Sequence, residues 1–162
     1  MLKQHLKIKP TKIGNGLFTD VKIPANFPII EVGGTVCNWE SIQDKENPYI
    51  MEIGNNLFIT SSGDLDDYVN HSCNPNCVMH IIGKRAILYS LYIIPADSEL
   101  TFDYSLTSTD SLDSWKMDCL CGNFNCRKVI SGFHLLPDDL KKNYMDNDLV
   151  PQFIRNPIFM KK

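Results

Sequence analysis

Short apolar runs broken by glycine, proline and polar pairs dominate the first hundred residues, a rhythm of strands and turns rather than of helices. Leu6-Lys7-Ile8-Lys9 alternates and predicts a strand; Gly14-Asn15-Gly16 reads as a turn, with further strands at residues 17–19 and 28–32, the last ending in Gly33-Gly34. Residues 38–48 are polar, suited to a short helix or loop inserted between strand regions. Residues 49–53 and 57–60 flank Gly54-Asn55-Asn56 and predict a hairpin with a three-residue loop. A stronger hairpin spans residues 78–82 and 85–92 across Gly83-Lys84, where β-branched and aromatic residues dominate. One amphipathic helix is predicted over residues 137–144, with Pro137, Asp138 and Asp139 at its start, as the first turn of a helix prefers. Residues 105–114, rich in Ser, Thr and Asp, are expected to form a mobile loop.

Bulk properties bound this picture without changing it. At 162 residues, 43% hydrophobic and 22% charged, the chain has room for one domain with its own core. Residues 1–10 alternate basic and apolar and lack the apolar run of roughly 7–15 residues of a secretory signal, so export by that route is not expected. The longest apolar stretch, residues 86–96, is broken by Ser90 and Pro95, well short of the ~18 residues of a membrane span, and no membrane association is expected. Net charge is −3 with no block of Lys or Arg, which disfavours direct nucleic-acid binding and is compatible with a basic peptide partner.

The cysteines change the picture. Cys119, Cys121 and Cys126 form a C-x-C-x4-C run that supplies three thiolates, and tetrahedral zinc needs four. Cys73, inside Asn70-His71-Ser72-Cys73, is the candidate fourth, which would tie the tail to the middle of the domain. A reducing, intracellular compartment favours zinc over a disulfide-stapled domain, although six cysteines leave the second arrangement open. Cys37 and Cys77 fall outside the pattern and read as small apolar interior residues. Taken alone, Gly14-Asn15-Gly16 is an ordinary turn, His71 a structural histidine and Tyr104 a core aromatic.

Their order suggests more. Lys12-Ile13-Gly14-Asn15-Gly16, Asn70-His71-Ser72-Cys73, Glu99-Leu100-Thr101-Phe102-Asp103-Tyr104 and the cysteine run together resemble the SET-domain protein lysine methyltransferases with a zinc-binding post-SET tail. The resemblance covers about residues 8–135. It implies a mainly β, β-clip-like domain of several small sheets, with the Tyr104 segment threaded in a knot-like arrangement and a short C-terminal helix beyond. The corresponding division is a SET domain over residues 1–118 with a short insert at about 38–60, a post-SET zinc segment over 119–135, and a C-terminal helix and tail over 136–162.

The implied activity is methyl transfer from S-adenosylmethionine to a lysine ε-amine of a protein, with a histone tail or a non-histone protein as substrate. The resemblance places Lys12, Gly14, Asn15, Gly16, Asn70, His71 and Tyr104 on the cofactor, His71 mainly through its main chain. It makes Tyr104 the catalytic residue, lines the lysine channel with Phe102 and Tyr49, and assigns one structural zinc to Cys73, Cys119, Cys121 and Cys126. Phe102, where relatives carry Phe or Tyr, implies di- or trimethylation. Ile130, Phe133 and Leu135 of the tail are expected to pack on the site.

The chain also departs from the family pattern. Asp67-Tyr68 precedes the Asn-His pair where many members have Arg-Phe, Glu31-Val32 stands where Glu-Tyr is common, and Asp97 replaces a usual glycine. The competing reading is a non-catalytic peptide-binding module that keeps the fold and zinc. Cytoplasm or nucleus are the expected compartments.

Overall fold

Residues 1–109 and 115–157 are described by the structure, a computed structural model. Five small sheets are present among them. A hairpin joins β1 (Leu6–Thr11) to β2 (Gly14–Thr19). One three-stranded sheet orders β3 (Pro28–Glu31), β9 (Arg85–Ser90) and β8 (Cys77–Ile82); another orders β4 (Val36–Cys37), β6 (Leu57–Ile59) and β5 (Met51–Gly54). Two two-residue strands, β7 (Asn70–His71) and β10 (Thr101–Phe102), pair in parallel, and β11 (Lys116–Asp118) pairs antiparallel with β12 (Val129–Ser131). Helices α1 (Asp138–Asp146) and α2 (Gln152–Arg155) follow. The result is the mainly β fold of small sheets that the sequence predicts.

Alternation along the β8–β9 hairpin sorts its side chains into two cores. Cys77, Met79, Ala86 and Leu88 join Leu17, Ile23, Ile29 and Leu100 on one side. Val78 and Tyr89 meet Leu106, Phe133, Tyr144, Val150, Phe153 and Ile154 on the other. The near-continuous apolar run of these strands therefore has a physical reason: the two helices and the 3-10 turns cover the second face. Helix α1 carries surface ion pairs, Asp138 with Lys141 at 2.8 Å among them, but pairs this exposed contribute little. Burial of Tyr144 is what seats it.

Four local expectations are corrected. The β1–β2 turn is Lys12-Ile13, one step earlier than expected, and Gly14, Asn15 and Gly16 belong to β2, pairing with Thr11, Pro10 and Lys9. The β5–β6 loop has two residues, because Gly54 pairs with Leu57 and Asn56 supplies the positive φ of 51° that the tight turn requires. The expected mobile loop begins instead as a buried 3-10 helix, Tyr104–Thr107; Thr109 Oγ1 and N–H both donate to the Glu52 carboxylate, which pins the segment to β5. Residues 110–114 of that expected loop, and 158–162 of the tail, lie outside the described residues. Leu135 is 53% exposed, because the turn Phe133–Leu135 buries Phe133 in the helical core rather than on the cysteine side.

Leu88, fully buried on the central strand, tests this arrangement. Leu88→Ala should lower the unfolding free energy by about 2–5 kcal/mol in a denaturant titration, while Ile82→Ala, at a half-exposed strand end, should cost well under that.

Candidate active site

Parallel pairing of β7 with β10 sets Asn70 opposite Thr101 and His71 opposite Phe102, and the Ser72 N–H extends it by donating to the Phe102 carbonyl at 3.0 Å. Two sequence motifs 30 residues apart are thus brought to one place. A third is added by the Asn70 side chain, whose Nδ2 donates to the Asn15 carbonyl at 3.0 Å and to Glu99 Oε1 at 2.8 Å. Both amide protons are used. Gly16 makes this possible: a Cβ there would overlap Glu99 Oε1 and stand 2.9 Å from Asn70 Nδ2. Its role is close approach, not a turn. Gly14 and Asn15 are exposed beside it, whereas Lys12 sits in the exposed turn with no hydrogen bond or ion pair to another described residue.

The His71 side chain is 6% exposed and does work that the main-chain reading left out. Its Nδ1 accepts the Tyr104 N–H at 3.2 Å, which puts the ring proton on Nε2, 3.3 Å from Cys73 Sγ. Burial, opposed by Asp103 and reinforced by Arg127, pushes the imidazole down to about 4. His71 is therefore a neutral bridge between Tyr104 and the cysteines. It is no ion pair with Asp103, despite an approach of 3.5 Å, because Nδ1 already accepts from Tyr104.

Tyr104 opens its 3-10 turn with the phenol donating to the Val69 carbonyl at 2.9 Å. Its ring meets Phe102 at 4.8 Å and stands edge-on to His71 at 5.4 Å between centroids. Burial holds the phenol above its ordinary pKa, so it is a neutral donor with a lone pair to spare, not a base. Tyr49 is half-exposed, and its phenol is near enough to influence Tyr104 electrostatically; Phe102 is buried.

The four cysteine sulfurs of residues 73, 119, 121 and 126 lie within 4.8 Å of one another, and Cys73 and Cys119 approach to 3.6 Å. Four thiolates at ~2.3 Å from a tetrahedral zinc would be spaced by roughly 3.8 Å, so the donor set fits that ion. The backbone is shaped for thiolates: Arg127 N–H donates to Cys73 Sγ and Lys128 N–H to Cys126 Sγ, each at 3.4 Å. Asn123 Nδ2 donates to Ser72 Oγ at 2.9 Å and fastens the loop to the Asn-His-Ser-Cys segment. All six cysteines are free thiols, which leaves the disulfide-stapled alternative without support; Cys77 is buried as expected and Cys37 half-buried. Ile130 packs on Cys73 and Cys119 with Tyr104 alongside.

Sequence reasoning missed one feature. Asp103, between the two aromatics, is 0% exposed and accepts from Ser105 N–H at 3.0 Å, from Arg127 Nη2 at 2.7 Å and from the Tyr144 hydroxyl at 2.7 Å. Burial disfavours the Arg127 charge, but the hydrogen bond and charge of Asp103 hold its pKa above the ordinary value. A signal was available: strand alternation turns Asp103 away from the side taken by Phe102 and Tyr104, and a buried carboxylate needs partners. The departures from the family pattern also have local roles. Asp67 accepts from the Ser61 hydroxyl and the Gly63 N–H, Val32 packs partly buried against the main core, and Asp97 adopts a φ of 61°.

Residues 14–105 match the family model described as SET domain. The chain belongs to the SET-domain family. Among curated relatives of this SET domain, "Histone-lysine N-methyltransferase, H3 lysine-4 specific" of Emericella nidulans is 34% identical over 145 residues, covering 80% of this chain and 12% of the relative. "Histone-lysine N-methyltransferase 2D" of Homo sapiens is 34% identical over 129 residues, covering 71% of this chain and 2% of the relative. The chain thus spans a small fraction of the length of the curated relatives it matches. Among solved structures, that of KRYPTONITE in complex with mCHH DNA, H3(1-15) peptide and SAH superposes with a TM-score of 0.65 at 27% identity, covering 77% of this chain and 29% of that one.

For the cysteine cluster of this SET domain, the purified protein should carry one zinc per chain by elemental analysis. Cys126→Ser should lose it, and a folded wild-type protein without metal would exclude the site.

Proposed function

We propose that this chain transfers methyl groups from S-adenosylmethionine to a lysine ε-amine of a protein. One observation carries the reading: the neutral Tyr104 phenol, fixed on the Val69 carbonyl against Phe102, stands where the Asn70-His71 strand, the Gly16 strand and the four-cysteine tail converge. The named activities of the relatives and the SAH and H3 peptide in the solved neighbour support it.

The chemistry suits these residues. A lysine amine of pKa ~10.4 is neutral in only about 4 parts in 10,000 at pH 7, and only that form attacks. Buried aromatics disfavour the ammonium, which lowers the cost of losing its proton. When bound, S-adenosylmethionine supplies an electrophilic methyl: a nitrogen–carbon bond forms as the carbon–sulfur bond breaks, and the amine proton leaves to water. The protein's part is alignment. Asn70, through its ties to Asn15 and Glu99, shapes the cofactor side together with Gly14, Gly16 and the His71 backbone, and Lys12 stands at the rim of that side. Tyr104 accepts from and orients the amine, with Phe102 and Tyr49 along its approach. Zinc on Cys73, Cys119, Cys121 and Cys126 would be structural, since four thiolates leave no open position.

The leading substrate is a histone H3-like basic tail, in keeping with the relatives' names and the net charge of −3. Phe102 lacks the hydroxyl that would crowd a methylated amine, and we assign multiple methylation to it. We divide the chain into a SET domain at 1–118, a post-SET segment at 119–135 and a helical tail at 136–162, acting in a reducing intracellular compartment, cytoplasm or nucleus.

Incubation with labelled S-adenosylmethionine and an H3 tail peptide should place label on lysine. Tyr104→Phe should lower kcat by about 100-fold or more, the size of loss expected when the acceptor that aligns the amine is removed. Cofactor binding without transfer to any histone or lysate protein would mark a peptide-binding module instead. Phe102→Tyr should shift the product, read by mass spectrometry, from di- and trimethyl-lysine toward monomethyl-lysine.

A further inference from the structure

The Asp103 carboxylate is shared by three segments distant in sequence, and its two oxygens are served unequally. Oδ1 accepts from Ser105 N–H and Arg127 Nη2. Oδ2 accepts from the Tyr144 hydroxyl at 2.7 Å, its one donor among the described residues. Among the described residues Arg127 is engaged through Nη2 alone, and its buried Nε and Nη1 have no partner there. A carboxylate and a guanidinium normally favour two parallel bonds, and here the spare donors for a second bond are idle. What occupies Oδ2 instead is a phenol from α1, a helix outside the residues matched by the family model.

We propose that Tyr144 is a positioning residue for the active site: its hydroxyl holds Asp103 so that Arg127 binds it through Nη2 alone, and this seats the cysteine tail against His71 and Tyr104. Two connections carry the effect. The Arg127 main-chain N–H is bonded to Cys73 Sγ, so a guanidinium that moves to capture both oxygens pulls on the tail at a cysteine. Asp103 is also the residue between Phe102 and Tyr104 and accepts the Ser105 N–H that starts the 3-10 turn, so a rotated carboxylate disturbs the Tyr104 backbone bonded to His71. Tyr144 itself belongs to the buried cluster of Val78, Leu106 and Phe133, not to the one that holds the cysteines and Tyr104. The helix is in this way a clasp on the tail. Its influence on turnover rests on the methyltransferase reading, and its influence on the tail does not.

Tyr144→Phe removes the hydroxyl and keeps the ring in its packing. Leu140→Ala loosens the same helix without touching Asp103 and serves as the control for mere loss of packing. Hydrogen–deuterium exchange of residues 119–131, at a temperature where every variant is folded, should be about tenfold faster in Tyr144→Phe than in wild type, as expected when a buried acceptor loses its donor, and unchanged in Leu140→Ala. With an H3 tail peptide, kcat should fall about tenfold in Tyr144→Phe while the peptide KM stays within about twofold, because the lost contact orients Tyr104 rather than the peptide. Wild-type exchange in Tyr144→Phe, or equal acceleration in both variants, overturns the proposal. Accelerated tail exchange in Tyr144→Phe with no methyl transfer by the wild type would uphold the clasp and refute the methyltransferase reading.

Discussion

A carboxylate sealed from water at the end of β10 organises this molecule. Asp103 is 0% exposed, and an ionised group so placed is tolerable only when donors surround it. Those donors come from its own turn at Ser105, from the tail at Arg127 and from the last long helix at Tyr144. Satisfying one side chain therefore fixes the relative placement of three segments. Because Phe102 and Tyr104 flank Asp103 in the chain, whatever anchors the carboxylate also anchors the two aromatics on the opposite side.

The other half of the site rests on a neutral amide. Asn70 spends both Nδ2 protons on Asn15 and Glu99, and only a glycine at position 16 leaves room for it. His71 links the halves: it accepts from the Tyr104 backbone and turns its protonated nitrogen to Cys73, while burial keeps the ring uncharged. The cysteine cluster is thus wired by hydrogen bonds to the residue proposed to orient the amine. A four-thiolate site has no vacancy for chemistry, so its natural contribution is to hold the tail in place.

Much of this was readable in advance, for reasons that differ by element. The β8–β9 hairpin announced itself by β-branched residues around Gly83-Lys84, and α1 by Pro137 with two acids behind it, because these signals are local. The cysteine count pointed to a fourth ligand because zinc chemistry is indifferent to sequence distance. Gly14-Asn15-Gly16 reads as a turn although it lies in β2, since glycine permits a turn as readily as it permits close approach, and only the neighbours Glu99 and Asn70 decide between them. The polar run at residues 105–109 reads as a loop by composition, yet Ser105, Thr107 and Thr109 are buried, Thr109 against Glu52, contacts that composition does not encode.

By itself the sequence determined the residue types: strand-forming runs, four thiols at ligand spacing, and an Asn-His pair and a Phe-x-Tyr triplet in the order of a SET domain. The tertiary structure decided which of them meet. Parallel pairing of β7 with β10, the tautomer of His71, and the choice of Tyr144 as the partner of Asp103 Oδ2 all depend on contacts between residues 31 to 41 positions apart. Such contacts are set by how the sheets and helices close on one another, and periodicity within any single segment carries no record of them.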